Sequence, residues 1–185
     1  HKEYRRQRQM CIRDRNKTGY HNLCKLSSLA YKEGFYFKPR VDHELLERYS
    51  EGLIVLSGCL AGEVAQATMV DDYKGAKELV EFYARTFKDR YYLELQPHPI
   101  DDQRKHNAAI MDLAQTMGVP LVGTTDCHYL NKDDHFAQEV LMCISTGKTI
   151  LDPDRLRHEG FLLHLKTEAE MLDELSHLKE APEAI

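Results

Sequence analysis

Asp126 and His128 stand two residues apart in Leu121-Val122-Gly123-Thr124-Thr125-Asp126-Cys127-His128-Tyr129, directly after a short apolar run. In an extended chain, residues i and i+2 point to the same side. A carboxylate and an imidazole would then converge on one point just past a strand. A hard carboxylate oxygen beside a borderline imidazole nitrogen suits a divalent ion such as zinc, manganese or iron. The competing reading is a turn in which Asp126 caps the next segment and His128 is an ordinary surface residue. Asp-x-His is too common a tripeptide to decide between them alone.

Two upstream segments end in similar chemistry. Leu53-Ile54-Val55-Leu56 has the length and β-branched content of a buried strand and runs into Ser57-Gly58-Cys59. Tyr91-Tyr92-Leu93-Glu94-Leu95 is a second strand, ending in Gln96-Pro97-His98-Pro99. Helical stripes separate the strands. One, in two pieces, carries Tyr73, Ala76, Leu79, Val80, Tyr83, Ala84 and Phe87. The other runs from Asp101 to Met117, with Ala109, Ile110, Leu113, Ala114 and Met117 inside and Gly118 as its stop. Strand, helix, strand, helix, strand predicts an α/β fold with a parallel sheet. Right-handed crossovers bring such strand ends to one rim, where functional groups of these folds gather. Cys59, His98, Asp126 and His128 would all lie there.

Each of these residues has a plainer reading. Cys59 as a thiolate is a strong ligand, or else a small buried residue at a tight turn. His98, held between two prolines, either supports a ligand from behind or is a loop histidine. Glu63, close to a helix start, compensates the helix dipole. Cys127 points opposite to its neighbours and reads as core packing, as do Cys24 and Cys143 on helices. His106, His135, His158, His164 and His177 have no partner at ligand spacing and read as surface residues. Gly147-Lys148-Thr149 lacks the upstream glycine and preceding strand of a phosphate loop, and is rejected.

The flanks carry less chemistry. Leu23, Leu26, Leu29 and Ala30 predict a helix over 20–33, stopped by Gly34. Phe35-Tyr36-Phe37-Lys38-Pro39-Arg40 follows as an extended aromatic segment, whose two cations either hold phosphate or are simply solvated. Asp42 is a good N-cap for a short helix through Leu45, Leu46 and Tyr49. Beyond Tyr129, Asn131 caps a helix with Phe136, Val140, Leu141 and Ile144 inside, ending at Thr146-Gly147. A strand is predicted at Phe161-Leu162-Leu163-His164-Leu165. Thr167 to Glu170 is a capping box for a last helix with Met171, Leu172 and Leu175 inside.

The 185 residues are enough for one domain with a core, and 42% hydrophobic with 30% charged is ordinary for a globular chain. No apolar run approaches transmembrane length, and no apolar leader is present, so no membrane association is expected. Five cysteines without paired spacing fit a reducing cytoplasm. Residues 1–15 carry six Lys and Arg against two acidic residues, so the body of the chain is more acidic than the net −5 suggests. That makes the body a poor nonspecific DNA-binding surface, so any nucleic-acid contact is expected from a local basic groove or from regions outside this chain. The leader shows neither helical stripe nor strand alternation and reads as a disordered or foreign tail, or as a basic arm.

From Asn16 to Ile185 the chain resembles the PHP (polymerase and histidinol phosphatase) domain of bacterial DNA polymerase III alpha subunits, the replicative C-family polymerases. The matching stretches are Glu33-Gly34-Phe35-Tyr36-Phe37-Lys38-Pro39-Arg40, Leu56-Ser57-Gly58-Cys59-Leu60-Ala61-Gly62-Glu63, Tyr92-Leu93-Glu94-Leu95-Gln96, Thr125-Asp126-Cys127-His128-Tyr129, and Thr146-Gly147-Lys148-Thr149 with Asp152-Pro153. The resemblance implies part of a distorted (βα) barrel with parallel strands. Residues 1–15 would be a non-matching leader, 16–150 the later two-thirds of the PHP domain, and 151–185 its end and the start of the link to a polymerase core. It implies metal-ligand roles for Cys59, Asp126 and His128, with a cluster of zinc, manganese or iron ions. It further implies magnesium at a polymerase core outside this chain, a nucleotidyltransferase parent acting in DNA replication, and cytoplasmic location. DNA, a proofreading subunit and a sliding clamp are the implied partners. Some members use the PHP site for 3'-5' exonuclease proofreading, whereas others have lost ligands and dock a separate proofreading subunit. A free-standing PHP phosphoesterase is the third alternative. The His-x-His opening of the family is missing here.

Overall fold

The computed structural model describes residues 11–157, 163–176 and 178. These form two compact units. The first holds the described residues up to Glu94 together with Lys105–Val122; the second holds Leu95–Arg104 and the described residues from Gly123 onward.

The first unit is built on a four-stranded, mostly parallel sheet in the order β1-β2-β3-β4, comprising Cys11–Asp14, Leu53–Leu56, Tyr91–Leu95 and Leu121–Gly123. β2 and β3 pair in parallel, with Val55 opposite Tyr91 and Leu56 opposite Tyr92. Leu93 N donates to Pro120 O at 2.9 Å and ties β3 to the approach of β4. Tyr91, Leu93 and Leu95 are all fully buried, and Glu94 between them is only 2% exposed. A strand covered on both faces in this way is what a parallel sheet requires.

Residues 11–14, which show no strand alternation in the sequence, form the antiparallel edge strand β1, with Ile12 opposite Val55 and Arg13 opposite Ile54. An edge strand needs one apolar residue to seat it and tolerates charge elsewhere, so its sequence looks like a polar tail. The expectation of an unstructured leader is therefore corrected for these four residues. Residues 1–10 lie outside the described residues.

Helices up to residue 117 pack as their stripes predict. α1 (Lys17–Lys32) starts at Asn16, whose side chain accepts from Gly19 N at 2.9 Å, and buries Leu26 and Ala30. α2 (His43–Arg48) is capped by Asp42, which accepts from Leu45 N. The helix expected in two pieces is α3 (Glu63–Met69) and α4 (Tyr73–Phe87). Tyr83 of α4 stacks on Phe87 and on Tyr91, with ring centroids 6.4 Å and 5.3 Å apart, and all three rings are buried. α5 spans Asp101–Met117 as predicted and buries Ile110, Leu113 and Ala114. It also buries His106, 1% exposed, which the sequence places on the surface. The apolar stripe of α5 is narrower than the face it buries, and polar residues with a partner inside complete that face.

In the second unit, α6 (His135–Thr146) follows a capping box at Asn131 and Asp134 and ends at Gly147 in a left-handed conformation. Its buried residues are Met142 and Cys143, whereas Phe136, Leu141 and Ile144 are 58%, 59% and 71% exposed. Three of the four residues of the inward stripe predicted for this helix thus face solvent, and Val140 is half-buried. α7 (Glu168–Leu175) has the predicted Thr167–Glu170 capping box and buries Met171 and Leu175, while Leu172 is partly exposed. Of the strand predicted at 161–165, residues 161–162 lie outside the described residues; His164 forms a parallel bridge with Tyr129. His164 is buried rather than on the surface. His158, His177 and residues 181–185 also lie outside the described residues. Among the described residues, no helix is long and apolar enough to cross a membrane.

Candidate metal centre

β4 ends at Gly123, and the chain does not continue extended. Asp126 takes φ +51°, a left-handed conformation that Asp tolerates better than most residues because its short side chain can bond locally. The i, i+2 argument for a common direction therefore fails at Asp126. The two residues are joined by a different contact: His128 Nδ1 bonds the backbone oxygen of Asp126. A carbonyl only accepts, so Nδ1 carries the proton, and any lone pair of the ring must then be on Nε2. That is the tautomer a metal-binding histidine uses, fixed by a hydrogen bond from its other nitrogen. Asp126, Cys127 and His128 are all exposed. Cys127, expected in the core, instead has its thiol 3.3 Å from Tyr129 O.

The segment after His128 is anchored within the second unit. His128 N donates to Leu163 O at 2.8 Å, and Leu165 N donates to Tyr129 O at 3.0 Å. Leu163 N in turn donates to the Tyr129 hydroxyl at 2.8 Å.

His98 belongs to the same unit and is 8% exposed. Burial holds its pKa below the ordinary histidine value. The Asp126 carboxylate opposes that shift, Lys166 deepens it, Glu174 opposes it and His128 deepens it slightly. The structure thus brings His98, Asp126 and His128 within electrostatic reach of one another. It adds a pair that the sequence reading missed. Lys166 Nζ lies 2.8 Å from Glu174 Oε2, with the Lys166 side chain 2% exposed and that of Glu174 39%. A lysine at a helix approach carries no sequence signal of burial, so only packing reveals it.

Cys59 lies in the first unit, half-buried in the turn that follows β2. Cys59 O accepts from Gly62 N at 2.7 Å. Beneath the turn, Glu94 Oε2 accepts from Gly58 N at 3.1 Å, and Glu94 N donates to Ser57 Oγ at 2.9 Å. This buried carboxylate is a second residue the sequence reading passed over, since Glu94 sits inside a strand of apolar pattern. Glu63 does more than face the N-terminus of α3. Its Oε2 lies 2.9 Å from His43 Nε2 and accepts from the Tyr83 hydroxyl at 2.8 Å.

Asp126 and His128 fit a divalent ion in kind, with one hard oxygen donor and one imidazole in the ligating tautomer. They do not fit it in number. Among the described residues of either unit, no three of His, Cys, Asp and Glu are gathered closely enough to hold an ion. A two-donor pair binds weakly, because resident zinc and manganese sites normally need three or four protein ligands.

The sequence model of the PHP domain family matches residues 2–98, rather more than half of the chain. The chain belongs to the PHP domain family. Over most of its length this PHP chain is also similar to bacterial proteins named DNA polymerase III subunit alpha. The protein of that name from Borreliella burgdorferi is 39% identical over 169 residues, covering 91% of this chain and 15% of its own length. The one from Treponema pallidum is 40% identical over 181 residues, 95% of this chain and 15% of its own. The one from Aquifex aeolicus is 47% identical over 132 residues, 71% of this chain and 11% of its own. The PHP chain therefore spans about 15% of the length of the relatives it matches.

Proposed function

We propose that this chain is the PHP portion of a DNA polymerase III alpha subunit, a DNA-directed DNA polymerase acting in replication. Residues 16–150 would form the later part of the PHP domain, and 151–185 its end and the start of the link to the polymerase core. The observation that carries this reading is the similarity to proteins named DNA polymerase III subunit alpha along nine-tenths of the chain. Polymerisation, with its magnesium, belongs to regions outside these residues, as do most contacts with DNA and with other replicase subunits.

For the PHP portion itself we propose a divalent-ion site for 3'-5' exonuclease chemistry, with Asp126 and His128 supplying two of its ligands. The ion would be zinc, manganese or iron, and when bound would polarise a phosphodiester and lower the pKa of a water for in-line attack. The residues of the chain have simpler tasks. The Asp126 carbonyl holds the His128 ring by Nδ1, so that Nε2 presents its lone pair. Asp126 presents its carboxylate from a turn that no longer follows the strand direction. His98, buried and with its pKa held down, would support them without adding charge. The test is metal-dependent removal of 3' nucleotides by the full-length protein. An Asp126→Ala, His128→Ala double variant should lose it, and an unchanged rate would end the exonuclease reading.

A second reading makes the PHP domain a docking platform without chemistry. It is favoured by the exposed Phe136, Leu141 and Ile144 of α6, an apolar surface that a partner could cover. It requires full-length protein to contain no stoichiometric metal by elemental analysis, and proofreading to depend on an added subunit.

A further inference from the structure

The connection between α1 and α2 holds a group of aromatic rings out in water. Phe35, Tyr36 and Phe37 are 57%, 62% and 84% exposed, and Tyr31 near the end of α1 is 64% exposed. Rings clustered in water mark a binding surface more often than scattered exposed residues do. Here the backbone presents them. A Cβ on Gly34 would lie 2.1 Å from Arg40 O, so the two ends of the segment close on each other backbone to backbone. Between them, Tyr36 N donates to Lys38 O at 3.1 Å. Phe37 at the tip has φ +60°, a conformation that a bulky residue adopts only with strain. That strain places an aromatic ring at the most exposed point of the loop, where burial gives nothing back.

The rings come with cations. Tyr31 stacks on Phe35 at 6.3 Å, Tyr36 meets Phe37 edge-on at 4.7 Å, and the Arg40 guanidinium sits over Tyr36 at 5.0 Å. Lys32, Lys38 and Arg40 face one acidic residue, Glu33, so residues 31–40 are positive in a chain of net charge −5. A surface cleft of about 480 Å³ opens among Glu33, Gly34, Phe35, Tyr36 and Arg40.

Exposed rings beside cations match the needs of a single nucleic-acid strand, whose bases stack on aromatic side chains while its phosphates take Lys and Arg. A duplex hides its base faces and would leave the rings idle. An apolar protein surface would gain from the rings but would have to desolvate the cations.

We propose that this loop is a stacking platform for single-stranded DNA, with Phe37 and Tyr36 receiving bases and Lys38 and Arg40 receiving phosphates. The choice of DNA over RNA rests on the function proposed above, whereas the platform rests on the loop alone.

The chain contains no tryptophan, so Phe37→Trp places a single reporter at the tip. Titrating the full chain with short oligothymidylate in EDTA should quench it. Fluorescence anisotropy with the same labelled oligonucleotide should show about tenfold weaker binding for Phe37→Gly, a substitution that removes an exposed ring and relieves its backbone. Arg40→Gln and Lys38→Gln should each reduce the slope of log K against log salt by about 0.7. EDTA makes the outcome independent of Asp126 and His128, so failure here and failure of the metal reading are separable. An unquenched reporter with unchanged affinity in Phe37→Gly overturns the proposal. Binding that responds to the charge variants but not to Phe37→Gly overturns it as well. Tighter ring-dependent binding of oligouridylate than of oligothymidylate overturns the assignment to DNA.

Discussion

His106 Nδ1 lies 2.9 Å from Thr68 Oγ1, joining α5 to α3 inside the first unit. Thr68 Oγ1 also donates to Ala65 O at 3.0 Å, so the hydroxyl proton is committed and the oxygen is left to accept from the imidazole. His106 Nε2 has no hydrogen-bond partner among the described residues.

Burial pushes the His106 pKa from 6.5 down to about 4. The folded chain therefore resists protonating a group that the unfolded chain protonates readily. With the folded value below the unfolded one, the stabilisation is complete above pH 6.5, declines as pH falls, and is gone below about pH 4. The contribution is on the order of 3 kcal/mol. Urea denaturation between pH 7 and pH 4 should show His106→Gln less sensitive to acid than the parent chain. Parallel pH profiles for the two would refute the assignment.

Lys166 and Glu174 form a pair in which only the lysine is fully enclosed. Removing the carboxylate leaves a buried ammonium short of one counter-charge. Breaking a fully buried pair costs about 3–5 kcal/mol, and the exposure of Glu174 reduces that. We expect Glu174→Ala to destabilise by roughly 1–2 kcal/mol. Lys166→Met with Glu174→Met should recover most of it, because no charge then remains to be desolvated. Chemical denaturation of the three variants measures both effects.

Gly19 in α1 approaches Gly52 so closely that a Cβ would lie 2.0 Å from Gly52 O. Alanine is the better helix former by about 1 kcal/mol, and in a free helix Gly19→Ala would stabilise. Here the new methyl meets backbone that cannot swing aside. The variant should lose about 1–3 kcal/mol, as overpacked sites do. A raised denaturation midpoint would show that α1 does not dock on this turn.

Cys24 and Cys127 are exposed, Cys59 is partly covered, and Cys143 is buried. A thiol-specific chromogenic reagent should therefore react fast with the first two and with Cys143 only after unfolding. Cys24→Ser and Cys127→Ser should each remove one equivalent from the fast phase, and Cys143→Ser none. A fast phase undiminished by Cys127→Ser would contradict the placement of that residue outside the core.

Local pattern determined much of this chain. The strands at 53–56 and 91–95, the helices at 63–69, 73–87 and 101–117, and the caps at Asp42, Asn131 and Thr167 are all visible in the sequence. Periodicity, capping and turn residues act within a few positions of one another. The chemical types of Asp126, His128 and His98 are legible for the same reason, as donors close to strand ends. Tertiary structure decided the rest. β1 exists because β2 offers it an edge, which a polar tetrapeptide cannot announce. His106, His164 and Lys166 are buried by what packs over them from distant segments, and residue type alone predicts the opposite. Phe136, Leu141 and Ile144 follow a helical period yet lie in water, because periodicity says which residues share a face and not whether anything covers it. The direction of the Asp126 carboxylate turns on a single left-handed backbone angle, and the chain just beyond it is held by the distant Leu163 and Leu165.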